Sequence, residues 1–167
     1  VLSEDSNTMY AFAGTVVYAV DMGNIPSLKV KYTNEFDAII TSVGLLKGRD
    51  YGLAGDKDGY LHFFDLTNGR TLGNKTNRHE SHISTIQFME INNQEMILTT
   101  GYDHVFKLSK LKPGRPSLSS PLIIAEHTGW ITDAAWDKES KTLTTASNDR
   151  RIKTWLLSPL KIIEKIQ

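Results

Sequence analysis

The sequence predicts an all-β protein made of about four copies of one four-stranded antiparallel unit, and three observations lead there. Apolar residues come in short runs that alternate with polar ones at the two-residue period of a half-buried strand. No segment holds an apolar stripe at the 3.6-residue spacing of a helix through three turns. The chain also repeats itself at an interval of about 45 residues, the mark of a repeat architecture.

In chain order the expected strands are Tyr10–Ala13, Val16–Val20, Ile39–Leu46, Tyr60–Leu66, Ile83–Phe88, Met96–Leu98, Val105–Leu108, Ile131–Trp136, Thr142–Thr145 and Ile152–Leu157. Asp56-Lys57-Asp58-Gly59, Thr67-Asn68-Gly69 and Lys112-Pro113-Gly114 lie between strands and supply residues that accept a positive φ or preset a turn. Leu160–Gln167, with isoleucine at 162, 163 and 166, suits either a short helix or an edge strand. Leu111–Pro121 reads as an extended loop between the third and fourth strands of its unit, open to partner binding, phosphorylation or a plain insertion.

Superposing Asp58, Asp103 and Asp149 brings DGYLHFFDL, DHVFKLSKL and DRRIKTWLL into register, and Ile40, Ile83 and Ile131 then coincide. A fainter first copy falls into line when Val20-Asp21 is set over Phe64-Asp65. The approximate units are 1–32, 33–76, 77–126 and 127–167, within a single domain 1–167.

The last unit carries His127, Ser147, Asp149 and Trp155. Ser, His and Asp are the residue types of a hydrolase triad, but a tryptophan would cap the serine and no G-x-S-x-G elbow is present. The same four side chains satisfy one another's donors and acceptors as a buried polar network, which is stable when every member is paired. In these residues the chain resembles the WD-repeat β-propellers, strongly from Ala38 onward and weakly before it. The resemblance implies four-stranded blades in which a tetrad of His, Ser or Thr, Asp and Trp ties the loop before the first strand to the blade. His127, Ser147, Asp149 and Trp155 match those places. The third unit keeps His79 and Asp103 but has Gly101 at the expected hydroxyl and Ser109 at the expected Trp. The second keeps Asp58, with Phe64 for Trp, Asp56 for the hydroxyl and Phe36 for His, so packing is expected to replace hydrogen bonds there.

WD-repeat propellers usually need around seven blades to close. Four units are therefore expected to form an incomplete ring, part of a longer protein or completed by a partner chain or segment, the alternative being a closed four-bladed ring. The resemblance implies that partners bind at the loop before the first strand and at the turn ahead of the aspartate. The residues at those places are Trp130, Thr132, Asn148, Tyr102, His82, Ser84 and Lys57. Trp130 is open to two roles, anchoring a partner or packing on the neighbouring blade.

Lys plus Arg and Asp plus Glu are 19 each, so no global field draws nucleic acid or an anionic membrane. No apolar run approaches a membrane span, and no membrane insertion is expected. The absence of cysteine removes disulfides and thiolate chemistry and fits a cytoplasmic or nuclear setting. His79 and His82 lack a third ligand nearby, so no metal or cofactor is expected. Arg151 and Lys153 alternate along a strand and are expected on its solvated face. The expected function is a non-catalytic protein–protein interaction scaffold within a larger assembly. The alternative is a component of a ribonucleoprotein particle, such as a ribosome-assembly factor, touching RNA near Arg150–Lys153.

Overall fold

A computed structural model of the chain describes residues 1–3, 5–23, 27–46, 48–76, 78–158 and 161–166. Among the described residues the regular structure is entirely strand, arranged in four antiparallel sheets. Unit 1 is β1 (Thr8–Ala13), β2 (Val16–Asp21) and β3 (Lys29–Glu35), hydrogen-bonded in that order. Unit 2 follows with β4 (Ile40–Leu45), β5 (Tyr51–Asp56), β6 (Leu61–Asp65) and β7 (Thr71–Thr76). Unit 3 holds β8 (Ile83–Ile91), β9 (Gln94–Gly101), β10 (Phe106–Lys110) and β11 (Leu122–Ile124). Unit 4 holds β12 (Ile131–Asp137), β13 (Thr142–Ser147), β14 (Ile152–Ser158) and β15 (Lys161–Ile166). No helix among the described residues is long and apolar enough to cross a membrane.

The ambiguous tail is a strand: β15 pairs antiparallel with β14, while Leu160 and Gln167 lie outside the described residues. In unit 1, Val1 and Leu2 run beside β1, with Tyr10 N–H donating to Val1 O at 2.7 Å and Leu2 bridging Met9. β3 continues to Glu35, past the approximate division at 32/33. The loop after β10 is ordered by its own apolar anchors: Leu111 and Leu118 form a bridge, and both are buried.

The core lies between consecutive sheets, and strand alternation explains how one sheet serves two neighbours. Tyr10, Val17 and Ala19 of unit 1 meet Ile40, Val43, Ala54 and Phe64 of unit 2. Leu53, Leu61 and Phe63 of unit 2 meet Ile83, Ile86 and Ile97 of unit 3. Met96, Leu98, Phe106 and Leu108 of unit 3 meet Ile131, Ala134, Leu143 and Trp155 of unit 4. Ile97 and Leu98 thus face opposite neighbours from adjacent positions of β9. Each large side chain buried this way contributes about 1.5–3 kcal/mol relative to exposure.

Polar bonds also cross between the innermost strands. Thr41 Oγ1 donates to Ile83 O at 2.6 Å, and at the equivalent place one unit later Ser84 Oγ donates to Ile131 O at 2.6 Å. The row of sheets is not closed. On the far side of unit 4, the residues that alternate with Leu143 and Trp155 are Thr142, Thr144, Thr154 and Ile152, the last 68% exposed. Thr144 and Thr154 share a hydroxyl hydrogen bond at 3.2 Å.

Candidate functional site

The tetrad of unit 4 is built on four elements. β13 carries a threonine, β14 carries Trp155, and the turn between them carries Asp149, while His127 enters from the loop before β12. His127 Nδ1 lies 2.8 Å from Asp149 Oδ2, and its Nε2 lies 2.8 Å from Thr145 Oγ1. Trp155 Nε1–H donates to the same Thr145 oxygen at 3.1 Å. A carboxylate only accepts, so the imidazole donates through Nδ1, and in its neutral form it accepts from Thr145 at Nε2. The hydroxyl of the network is therefore Thr145, not the expected Ser147. Ser147 Oγ donates to Gly129 O at 2.9 Å and accepts from Asp149 N–H at 3.1 Å, buttressing the turn from outside the chain. Both residues point to the same side of β13, but Thr145 is two positions deeper and reaches the indole.

This shift restores unit 3. Thr99 Oγ1 stands 2.8 Å from His79 Nε2, and His79 Nδ1 stands 3.0 Å from both oxygens of Asp103. The network expected to be broken at Gly101 is intact up to the tryptophan position, where Ser109 is fully buried. Gly101 has its own reason: a Cβ there would sit 2.6 Å from Asp103 Oδ1 and 2.7 Å from His79 Nδ1. Burial alone would raise the Asp149 carboxyl, yet His127 and the N–H groups of Thr128 and Arg151 hold it well below the usual carboxylate range. Asp103 is lowered in the same way, burial being outweighed by His79 and the N–H groups of Glu80 and Val105.

Unit 2 departs further. Ala54 occupies the deep hydroxyl position, and Asp58 is exposed, contrary to its expected tetrad place. Asp56 is the buried carboxylate: it accepts from His62 Nε2 at 2.7 Å and from the N–H groups of Asp58 and Tyr60 at 2.9 and 2.8 Å. Packing was expected to replace hydrogen bonds here; instead it joins them, because Asp56 and His62 form a buried pair. Phe36 meets the His62 ring edge-on at 5.1 Å and Phe64 at 6.4 Å. Four residues past the repeat aspartate stand His62, Lys107 and Lys153, all buried. Lys107 Nζ donates to Arg78 O and Lys153 Nζ to Glu126 O, each just before the unit's histidine. Lys153, expected on a solvated face, is 3% exposed, because it shares its side of β14 with Trp155. Burial lowers the Lys107 pKa, against the raising influence of Asp103 and Glu80.

Of the residues expected on the rim, His82, Tyr102 and Trp130 come together at one end of units 3 and 4. Tyr102 N–H donates to His82 O and Asn148 N–H to Trp130 O, both at 2.9 Å, pinning each turn to the loop before its unit's first strand. Lys57 N–H makes the same bond to Ile39 O at 2.9 Å. Tyr102 then stacks on Trp130 of the next unit, with centroids 4.9 Å apart and planes 4° apart, and His82 lies 5.3 Å from Tyr102. Of the two roles left open for it, Trp130 packs on its neighbour, and its indole remains 48% exposed. Thr132, Asn148, Lys57 and His82 are exposed. Ser84 is not a free rim group, because its hydroxyl is spent on Ile131 O and Thr100 Oγ1. Ile39, 45% exposed, belongs to the rim and was missed, although it directly precedes Ile40 as Trp130 precedes Ile131.

The hydrolase arrangement is not assembled, since Ser147 bonds to Gly129 and His127 is engaged at both nitrogens. Among the described residues no group of three or more His, Asp or Glu is placed to hold a metal ion. No curated protein matches the chain. The family described as WD domain, G-beta repeat matches residues 119–155, which run from the loop after β10 through the tetrad to Trp155. With its network of His127, Thr145, Asp149 and Trp155 and its four unclosed antiparallel sheets, the chain carries a WD40 repeat at 119–155 in an architecture consistent with part of a WD-repeat propeller.

Proposed function

We propose that this protein is a non-catalytic scaffold that binds other proteins through the rim formed by Ile39, His82, Tyr102 and Trp130. WD40 repeats generally serve protein–protein interaction, which supports this reading through the repeat at 119–155. The observation that carries the rim reading is the stack of Trp130 on Tyr102, which leaves half of a rigid indole facing outward. Tryptophan and tyrosine anchor interfaces because they bury a large apolar area at small entropic cost. We also propose that the Thr-rich far side of unit 4 receives a further sheet of the same kind. Thr132 repeats the place of Thr41 and Ser84 and already makes the within-unit bond, to Ala146 O at 3.3 Å, that Thr41 makes to Gly55 O at 3.2 Å. The matching acceptor would be a first-strand carbonyl of that sheet. The cytoplasm or nucleus is the compartment we propose, since a chain without cysteine needs no oxidising setting.

Affinity capture with the chain and with Trp130→Ala tests the rim. Partners retained by the parent and lost from the variant are expected, with the unfolding midpoint shifted by no more than about 1 kcal/mol of stability. Equal recovery by both would overturn the reading. RNA binding that falls steeply with salt would favour the ribonucleoprotein alternative instead.

A further inference from the structure

A second surface lies at the other end of the strands and is independent of the rim. There a cleft of about 970 Å³ opens between the ends of β8, β9, β10 and β12. Such a volume is at the upper end of the roughly 300–1,000 Å³ range of ligand pockets. Its floor is apolar and adaptable, with Phe88, Met89, Met96, Leu111 and Trp136, two of them flexible thioethers. The loop Leu111–Pro121, which the tetrad and the rim leave without a role, supplies one wall through Lys112, Pro113 and Ser119.

The rim of this cleft is electrically unbalanced. Its two acids are already matched, Glu95 to Arg49 at 2.5 Å and Glu90 to Lys138 at 2.9 Å. Lys110 and Lys112 also line it, and among the described residues neither ammonium has a carboxylate partner. One buried donor is likewise unmatched: the indole N–H of Trp136 has no acceptor among the described residues. An unpaired buried donor costs about 1–3 kcal/mol until an acceptor arrives. An apolar floor within a ring of exposed charges is the anatomy of a protein interface, whereas a metabolite site holds its polar groups inside.

We infer that this cleft docks a short acidic peptide segment carrying a bulky apolar side chain. The apolar side chain enters over Met89 and Met96, its carboxylates meet Lys110 and Lys112, and an acceptor of the segment takes the Trp136 N–H.

A random heptapeptide display library selected on the full chain tests this, with affinities of the selected peptides read by fluorescence anisotropy. Acidic sequences with at least one bulky apolar residue are expected. Their affinity should fall at least tenfold in the Lys110→Glu/Lys112→Glu variant, whose two lysines sit at the surface and leave the core untouched. Trp136→Phe should weaken binding severalfold while keeping the ring. Trp130→Ala, on the opposite face, should leave it unchanged, which separates this site from the proposed rim. A basic or charge-indifferent consensus, binding insensitive to the lysine reversal, loss with Trp130→Ala, or no enriched peptide at all would each overturn the assignment.

Discussion

Blades 4 and 2 solve one problem with different chemistry. Both must fix the loop that enters the first strand, and both bury an imidazole and a carboxylate to do so. Blade 4 brings the histidine in on that loop and links it through Thr145 to an indole. Blade 2 places the histidine on its own third strand, pairs it with Asp56, and leaves the entering loop to present Phe36 to its ring. The repeat therefore preserves a task, a polar pair buried beneath the turn, more faithfully than it preserves the residues that perform it.

Substitution can break this comparison in a graded way. Trp155→Ala removes the side chain that both donates to Thr145 and packs edge-on against Phe106, and should cost about 4 kcal/mol. Asp56→Ala leaves His62 and two N–H groups unpaired in blade 2 and should cost about 3 kcal/mol. Thr145→Val keeps the shape but removes the bonds to the imidazole and the indole, for about 2 kcal/mol, whereas Thr99→Val removes the bond to the His79 imidazole and should cost about 1 kcal/mol. Ser147→Ala, at the surface of the same strand, should cost less than about 1 kcal/mol. Urea midpoints rank all five, and a larger loss from Ser147→Ala than from Thr145→Val would return the tetrad to the serine.

Acid sharpens the contrast last. The folded pKa of Asp149 and Asp103 lies below the unfolded value, so the stability they bring is full above about pH 4 and drains as pH falls through the folded value. Asp103→Asn/Asp149→Asn should be less stable than the parent at pH 7, with the gap narrowing by pH 3 in urea titrations. A gap that widens on acidification would reverse the sign of that linkage.

Ten strands, the repeat interval, His79, Asp103, His127, Asp149 and Trp155 were legible in the sequence, because alternation and turn residues act over a few neighbours, whereas β3, β5 and β7, rich in polar residues or glycine, and the three-residue β11 were not. The hydroxyl was not. Thr145 and Ser147 differ by two residues and share a face, so periodicity assigns both inward, and only depth along β13 separates them. The same two-residue ambiguity hid Asp56 behind Asp58. Lys153 was legible in principle, since Trp155 two residues on marks that side of β14 as inner. The expectation followed the charge instead and missed that a long apolar stem lets an ammonium reach a carbonyl from within. The Tyr102–Trp130 stack joins residues of separate units, and no local pattern reports such a pair.

The hydroxyl bonds between inner strands run in one direction. Thr41 gives its proton forward to Ile83, and Ser84 gives its proton forward to Ile131. Such an array is vectorial, with a donor end and an acceptor end that are not interchangeable. Two copies related by a twofold axis would bring hydroxyl to hydroxyl, so an isologous pair through the array's ends would not repeat this bond. A further sheet that repeats this bond would arrive in the same rotational sense, head to tail.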